Sequence, residues 1–154
     1  MQVLAQMPKG RVQLEIGIQS TNEQTLKAVS RVNHWQDIAD HIRRIMSFHN
    51  MHLHVDLIIG LPGEGMDSFH QSFNDVYALQ TDMLQLGFLK FLKGATMMKL
   101  VQPYNYQYMP MAPYEVLRSD ALSYGEIRWF HSFEQVFELY YNAGRCHHSA
   151  RILL

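Results

Sequence analysis

The residues best suited to chemistry lie in one stretch, His52 to Glu64, with the sequence HLHVDLIIGLPGE. Asp56 interrupts an apolar run, and a carboxylate there has to be paired or face a ligand or water. Gly60, Pro62 and Gly63 end the run abruptly. Loops at the carboxyl ends of strands hold ligands in α/β folds, so a strand acid leading into a Gly-Pro loop is a candidate site. The competing reading is an acid held in a structural hydrogen bond. A second polar set precedes it in VQLEIGIQ, where Glu15 and Gln19 share one face. Arg31 follows, at the close of a short helix, where a solvated helix end is the plainer reading. His52 and His54 share a face with Asp56, and a His-x-His pair with a carboxylate suits a divalent metal in a hydrolase. The pair opens its strand, however, and the amino end of a barrel strand serves stability rather than chemistry. Lys90 and Lys93 flank the end of the next strand and read more simply as solvated. His147 and His148 read as surface.

These side chains need elements to hold them. Val12 to Gln19 alternates strictly, with Val12, Leu14, Ile16 and Ile18 on one face and Gln13, Glu15, Gly17 and Gln19 on the other. The second face need not be solvent, because a barrel interior can be polar. Ser20 and Glu23 predict a capping box for a helix ending near Arg31. Trp35, Ile38, Ala39, Ile42, Ile45 and Met46 predict a longer helix to His49. The Val55-Leu57-Ile58-Ile59 run predicts a strand covered on both faces, as in a parallel sheet. Ser68 to Leu79 predicts a helix, and Met83 to Leu92 a third strand ended by Lys93-Gly94. Strand, helix, strand, helix, strand predicts parallel strands. Residues 100–112 read as an irregular linker. Pro113 predicts a helix start running to Leu122. Ser123 and Glu126 predict a second capping box, on a helix that Gly144 can end.

Composition narrows the function class. The chain has 154 residues, a net charge of −1 and one cysteine, Cys146. That length suits about one domain, and the charge offers nothing to nucleic acid. No stretch is long enough to span a bilayer, and no signal peptide opens the chain. A lone cysteine gives no disulfide framework, which fits a cytoplasmic setting. Three strands leave an open sheet edge, so the chain reads as a piece of a larger barrel that self-associates when alone.

LEIGIQSTNEQTLKAVSRVN, HVDLIIGLPGE and LQLGFLKFLKGAT together resemble the second half of a radical S-adenosylmethionine (SAM) barrel. The nearest subgroup is the cobalamin-binding type named after magnesium-protoporphyrin monomethyl ester cyclase, and oxygen-independent coproporphyrinogen oxidases share the core motifs. The tail from Ala112 to Arg145 resembles an uncharacterised helical domain appended to some of these proteins. The resemblance implies residues 1–99 as the C-terminal half of a (β/α)6 barrel, 100–112 as linker and 113–154 as an all-α appendage. It implies a whole enzyme with a 4Fe–4S cluster, SAM cleaved reductively to a radical, an optional cobalamin and an unknown small-molecule substrate. Gln19 matches a glutamine facing the SAM pocket, Arg31 an arginine reaching the SAM carboxylate and Asp56 an acid contacting SAM or its ribose. Glu15, pointing inward, meets SAM or substrate, or else forms an internal salt bridge. Gly60, Leu61 and Pro62 let backbone approach the adenine or ribose. The family's C-x3-C-x2-C loop is missing, so the expectation is a chain inactive alone, with no cofactor bound. Two other readings are a metal-dependent hydrolase half-barrel using His52, His54 and Asp56, and a non-enzymatic interaction module centred on the tail.

Overall fold

The computed structural model describes residues 1–143, so Gly144, Cys146, His147 and His148 lie outside the described residues. The alternating segment forms β1 (Val12–Gln19), preceded by a short α1 (Gln2–Ala5). Two helices follow, α2 (Glu23–Ala28) and α3 (Trp35–Met46), then β2 (Met51–Ile59), α4 (Met66–Tyr77) and β3 (Met83–Phe88). The three strands form one parallel sheet in the order β1-β2-β3. This is the arrangement of half a (β/α) barrel, as the strand and helix alternation predicts.

The two faces of the sheet divide by residue type. Leu53, Val55, Leu57 and Ile59 of β2 and Leu84 and Leu86 of β3 are buried in one core with Ala39 and Ile42 of α3 and Phe69, Phe73 and Val76 of α4. The other face carries Gln13, Glu15, Gly17 and Gln19, then His52, His54, Asp56 and Ile58, then Gln85 and Gly87, all exposed or half-buried. The strand expected to be covered on both faces is covered on one. Its near-continuous apolar run comes from a single outlier, Ile58, on the polar face.

The remainder of the chain corrects several expectations. β3 ends at Phe88, four residues early, because Leu89 to Phe91 turn to another partner: the Leu89 carbonyl accepts from the Val116 amide at 2.9 Å, and the Phe91 amide donates to the Tyr114 carbonyl at 2.8 Å. Those bonds explain why no helix runs from Pro113 to Leu122. Tertiary hydrogen bonds override the local start signal, and the segment forms β5 (Val116–Arg118), antiparallel to β4 (Gln107–Tyr108). The linker region begins at a 3-10 turn, Thr96–Leu100, and includes β4. The last helix, α5 (Tyr124–Phe137), has the expected Ser123–Glu126 capping box and runs into a π-helical stretch, Glu138–Asn142. Its Phe130, Phe133 and Phe137 pack edge-on against Phe69 and Phe73 of α4. The tail therefore shares the barrel's core.

The sheet has two unlike edges. The Asn142 side chain bonds both the amide (3.2 Å) and the carbonyl (2.9 Å) of Leu84, occupying the outer edge of β3 at that residue. Among the described residues no strand pairs with the outer edge of β1. An open edge beside a partly apolar sheet is a template for association, so light scattering across concentration is expected to show a dimer or larger species. A monomer at high concentration would mean that the β1 edge is protected.

Candidate functional site

Three of the predicted site residues meet around Gly17, at the carboxyl end of the polar face. Asp56 lies opposite Gly17 in the ladder. The Arg31 guanidinium donates to the Gly17 carbonyl at 3.0 Å. The Gln19 amide folds back over Gly17, occupying the space a β-carbon there would take. Gln19 has φ +71, left-handed backbone that a non-glycine residue adopts at a cost of about 1–3 kcal/mol. The pairing with β2 slips between Gly17 and Gln19, and the slip swings the strand end out of register. Arg31 lies beyond the helix it was expected to close, since α2 stops at Ala28, and a backbone bond from its own amide to Leu26 at 2.9 Å turns it back toward β1.

The charges on this face interact. Burial, followed by the negative charge of Glu15, raises the Asp56 carboxyl above its ordinary value, with a smaller opposing effect from His54. Glu15 accepts from the Gln13 side chain at 3.1 Å, and among the described residues no cation is paired with it. His52 and His54 rest edge to face, ring centres 4.8 Å apart. Among the described residues no three His, Cys, Asp or Glu side chains are grouped to hold a metal ion, so nothing in the geometry favours the hydrolase reading. Gly60, Leu61 and Pro62 are buried. Lys90 and Lys93 are exposed, with the Lys93 ammonium 6.0 Å from the Tyr114 ring centre.

A residue that sequence reasoning missed holds the strand-end loops together. Glu64 is fully buried (0% exposed). One of its oxygens accepts from the hydroxyls of Ser20 at 2.5 Å and Ser72 at 3.0 Å, and the other has no hydrogen-bond partner among the described residues. Ser20 is thereby taken from the helix cap expected of it. Asn22 caps α2 instead, accepting from the amides of Gln24 and Thr25. Thr21 and Asn22 bond Asp75 and Ser68 of α4 at 2.9 and 2.8 Å. The loop after β1 is thus stitched to α4 both directly and through Glu64. The available signal was an acid after Pro62-Gly63 paired with a serine after a strand, 44 residues apart.

Burial raises the Glu64 carboxyl, and the hydroxyls of Ser20, Ser72 and Ser68 oppose it. The folded chain therefore holds this proton more tightly than the unfolded one. Its contribution to stability is full below the ordinary value of 4.5 and lost as pH rises through the folded-state value. Glu64→Gln, which cannot ionise, is expected to flatten that fall in melts from about pH 4 to about pH 8. Glu64→Ala strands two buried hydroxyls and is expected to cost about 1–3 kcal/mol. Parallel melting curves for wild type and Glu64→Gln would show that the group titrates alike in both states.

Residues 102–154 match one family model. Its description is "Protein of unknown function (DUF4080)". The chain is also similar to the oxygen-independent coproporphyrinogen-III oxidase-like protein HemZ of Bacillus subtilis, 31% identical over 94 residues, which is 60% of this chain and 18% of HemZ. The chain thus spans less than a fifth of that relative's length. Among solved structures, coproporphyrinogen III oxidase (HemN) from Escherichia coli, described as a radical SAM enzyme, superposes with a TM-score of 0.49 at 22% identity, over 66% of this chain and 29% of that one.

Proposed function

We propose that this chain supplies half of a SAM pocket to a radical SAM oxidoreductase. The observation that carries the reading is the convergence of Gln19, Arg31 and Asp56 on Gly17 at the carboxyl end of a polar sheet face. The similarity to HemZ supports it. A guanidinium grips a carboxylate in two parallel bonds, which suits the methionyl end of SAM. The Asp56 carboxylate and the Gln19 amide suit ribose hydroxyls. Glu15 extends the polar face toward the substrate. Gly60, Leu61 and Pro62, buried beneath the strand ends, shape the loop. When bound, SAM supplies radical chemistry; these residues bind and orient it. The chain does not fit a 4Fe–4S cluster by itself, since the cluster is held by several thiolates and one cysteine is present. The cluster, and any cobalamin domain of the cyclase-like subgroup, belongs to sequence outside these residues, and the chain alone is inactive in this reading.

The coding sequence upstream of Met1 tests the proposal. A C-x3-C-x2-C motif is expected there, and an upstream sequence without cysteines would overturn the assignment. Gly17→Ala gives a second test in the completed protein. A β-carbon at this position meets only the flexible Gln19 amide, so the fold should persist while SAM binding weakens by roughly tenfold through loss of one polar contact. Wild-type affinity would remove Gln19 from the pocket.

A further inference from the structure

We propose that the tail segment from Gln102 to Asn142, which falls within the family model of unknown function, braces the Gly60–Gly65 loop in its ligand-ready shape, with Tyr106 as the positioning residue. Three contacts converge on that loop from the tail. The Tyr106 hydroxyl, on a side chain only 5% exposed, donates to the Gly60 carbonyl at 2.8 Å. Val116, fully buried, fills the space above Gly60, where a β-carbon would stand 2.8 Å from its Cγ1. The Ala121 carbonyl lies 3.2 Å from the place a β-carbon on Gly65 would take. Gly60 itself has φ +92, a conformation open to glycine and strained for other residues.

Tyr106 is itself well held. Its amide donates to Val101 at 2.9 Å, and its ring packs against Phe91 at 4.8 Å between centres. Val116 is fixed by its backbone bond to Leu89. The brace thus stands on the chain just after β3 and reaches across to the loop after β2. Loops at strand ends sample several shapes, and holding one in advance removes an ordering cost from binding. A second set of tail contacts lies elsewhere, where Asn142 bonds Leu84 on the outer edge of β3. The two sets make separable predictions.

Tyr106→Phe keeps the ring and removes the hydroxyl. Amide exchange at Leu61, Gly63 and Glu64 of this chain is expected to rise by about tenfold, with exchange in β2 unchanged. Val116→Ala should loosen the same amides by emptying the space above Gly60. Asn142→Leu should loosen β3 and leave the loop as it was. Unchanged loop exchange in both Tyr106→Phe and Val116→Ala would overturn the brace. The ligand arm rests on the SAM reading. In the completed protein, Tyr106→Phe should weaken SAM by about tenfold, whereas Asn142→Leu should lower the melting temperature with SAM affinity intact. A loosened loop with wild-type affinity would overturn the positioning role. A wild-type protein that binds no SAM would sink the SAM reading and leave the exchange result to judge the brace.

Discussion

Leu57→Ala is expected to lower stability by about 2–5 kcal/mol, a large share of what holds a typical domain folded. Leu57 is 0% exposed and sits at the middle of the central strand. Its ladder neighbours are Gln19 on one side and Leu86 on the other. Val55 and Ile59, two residues away on the same face, are equally buried. A cavity here has well-packed walls on every side, and walls that cannot collapse make large-to-small substitutions costly. Denaturant unfolding measures the loss. A change under about 1 kcal/mol would show that the helices pack more loosely on this face than the burial implies.

Asp56→Ala and Arg31→Ala should do the reverse, leaving the fold in place and weakening SAM in the completed protein by about ten- to a hundredfold each, or roughly 1.5–3 kcal/mol. Among the described residues the Asp56 side chain makes no hydrogen bond that the fold would miss, and alanine at a half-exposed strand position packs without difficulty. Its raised pKa adds a signature. A pocket that needs the carboxylate binds more weakly below that value, so wild-type affinity should improve as pH rises through it, and Asp56→Asn should remove the dependence. Arg31 is exposed, so its share should fall as salt is added. SAM titration alongside thermal melts separates the outcomes. Wild-type affinity in both variants would refute the assignment, and early melting in both would mean that the two residues hold the sheet end together.

The sequence displayed what periodicity can carry. The alternation of Val12 to Gln19 and the helical spacing of Trp35 to Met46 each reflect one side facing a core, and the elements formed where those patterns stood. The Ser123–Glu126 box was legible because both partners belong to the same helical turn. Ser20 was misread because its hydroxyl goes to Glu64, far along the chain, and local spacing cannot reveal a remote acceptor. Glu64 itself stood at the end of the candidate stretch with no role assigned to it. The segment after Pro113 carried a helix signal, yet its backbone was claimed by Leu89 and Phe91. Of the site, Gln19, Arg31 and Asp56 were visible as types, but their meeting at Gly17 depends on a register slip and a left-handed residue that composition does not encode.

The bonds from Asn142 to Leu84 also bear on how copies of the chain would join. A sheet with two free margins can add partners at both and grow into a filament. With Asn142 bonded to Leu84, a strand adding along β3 would first have to displace it, so pairing between copies is expected to favour the β1 margin. In this reading Asn142 disfavours polymer growth, and strand pairing is expected to favour pairs over filaments.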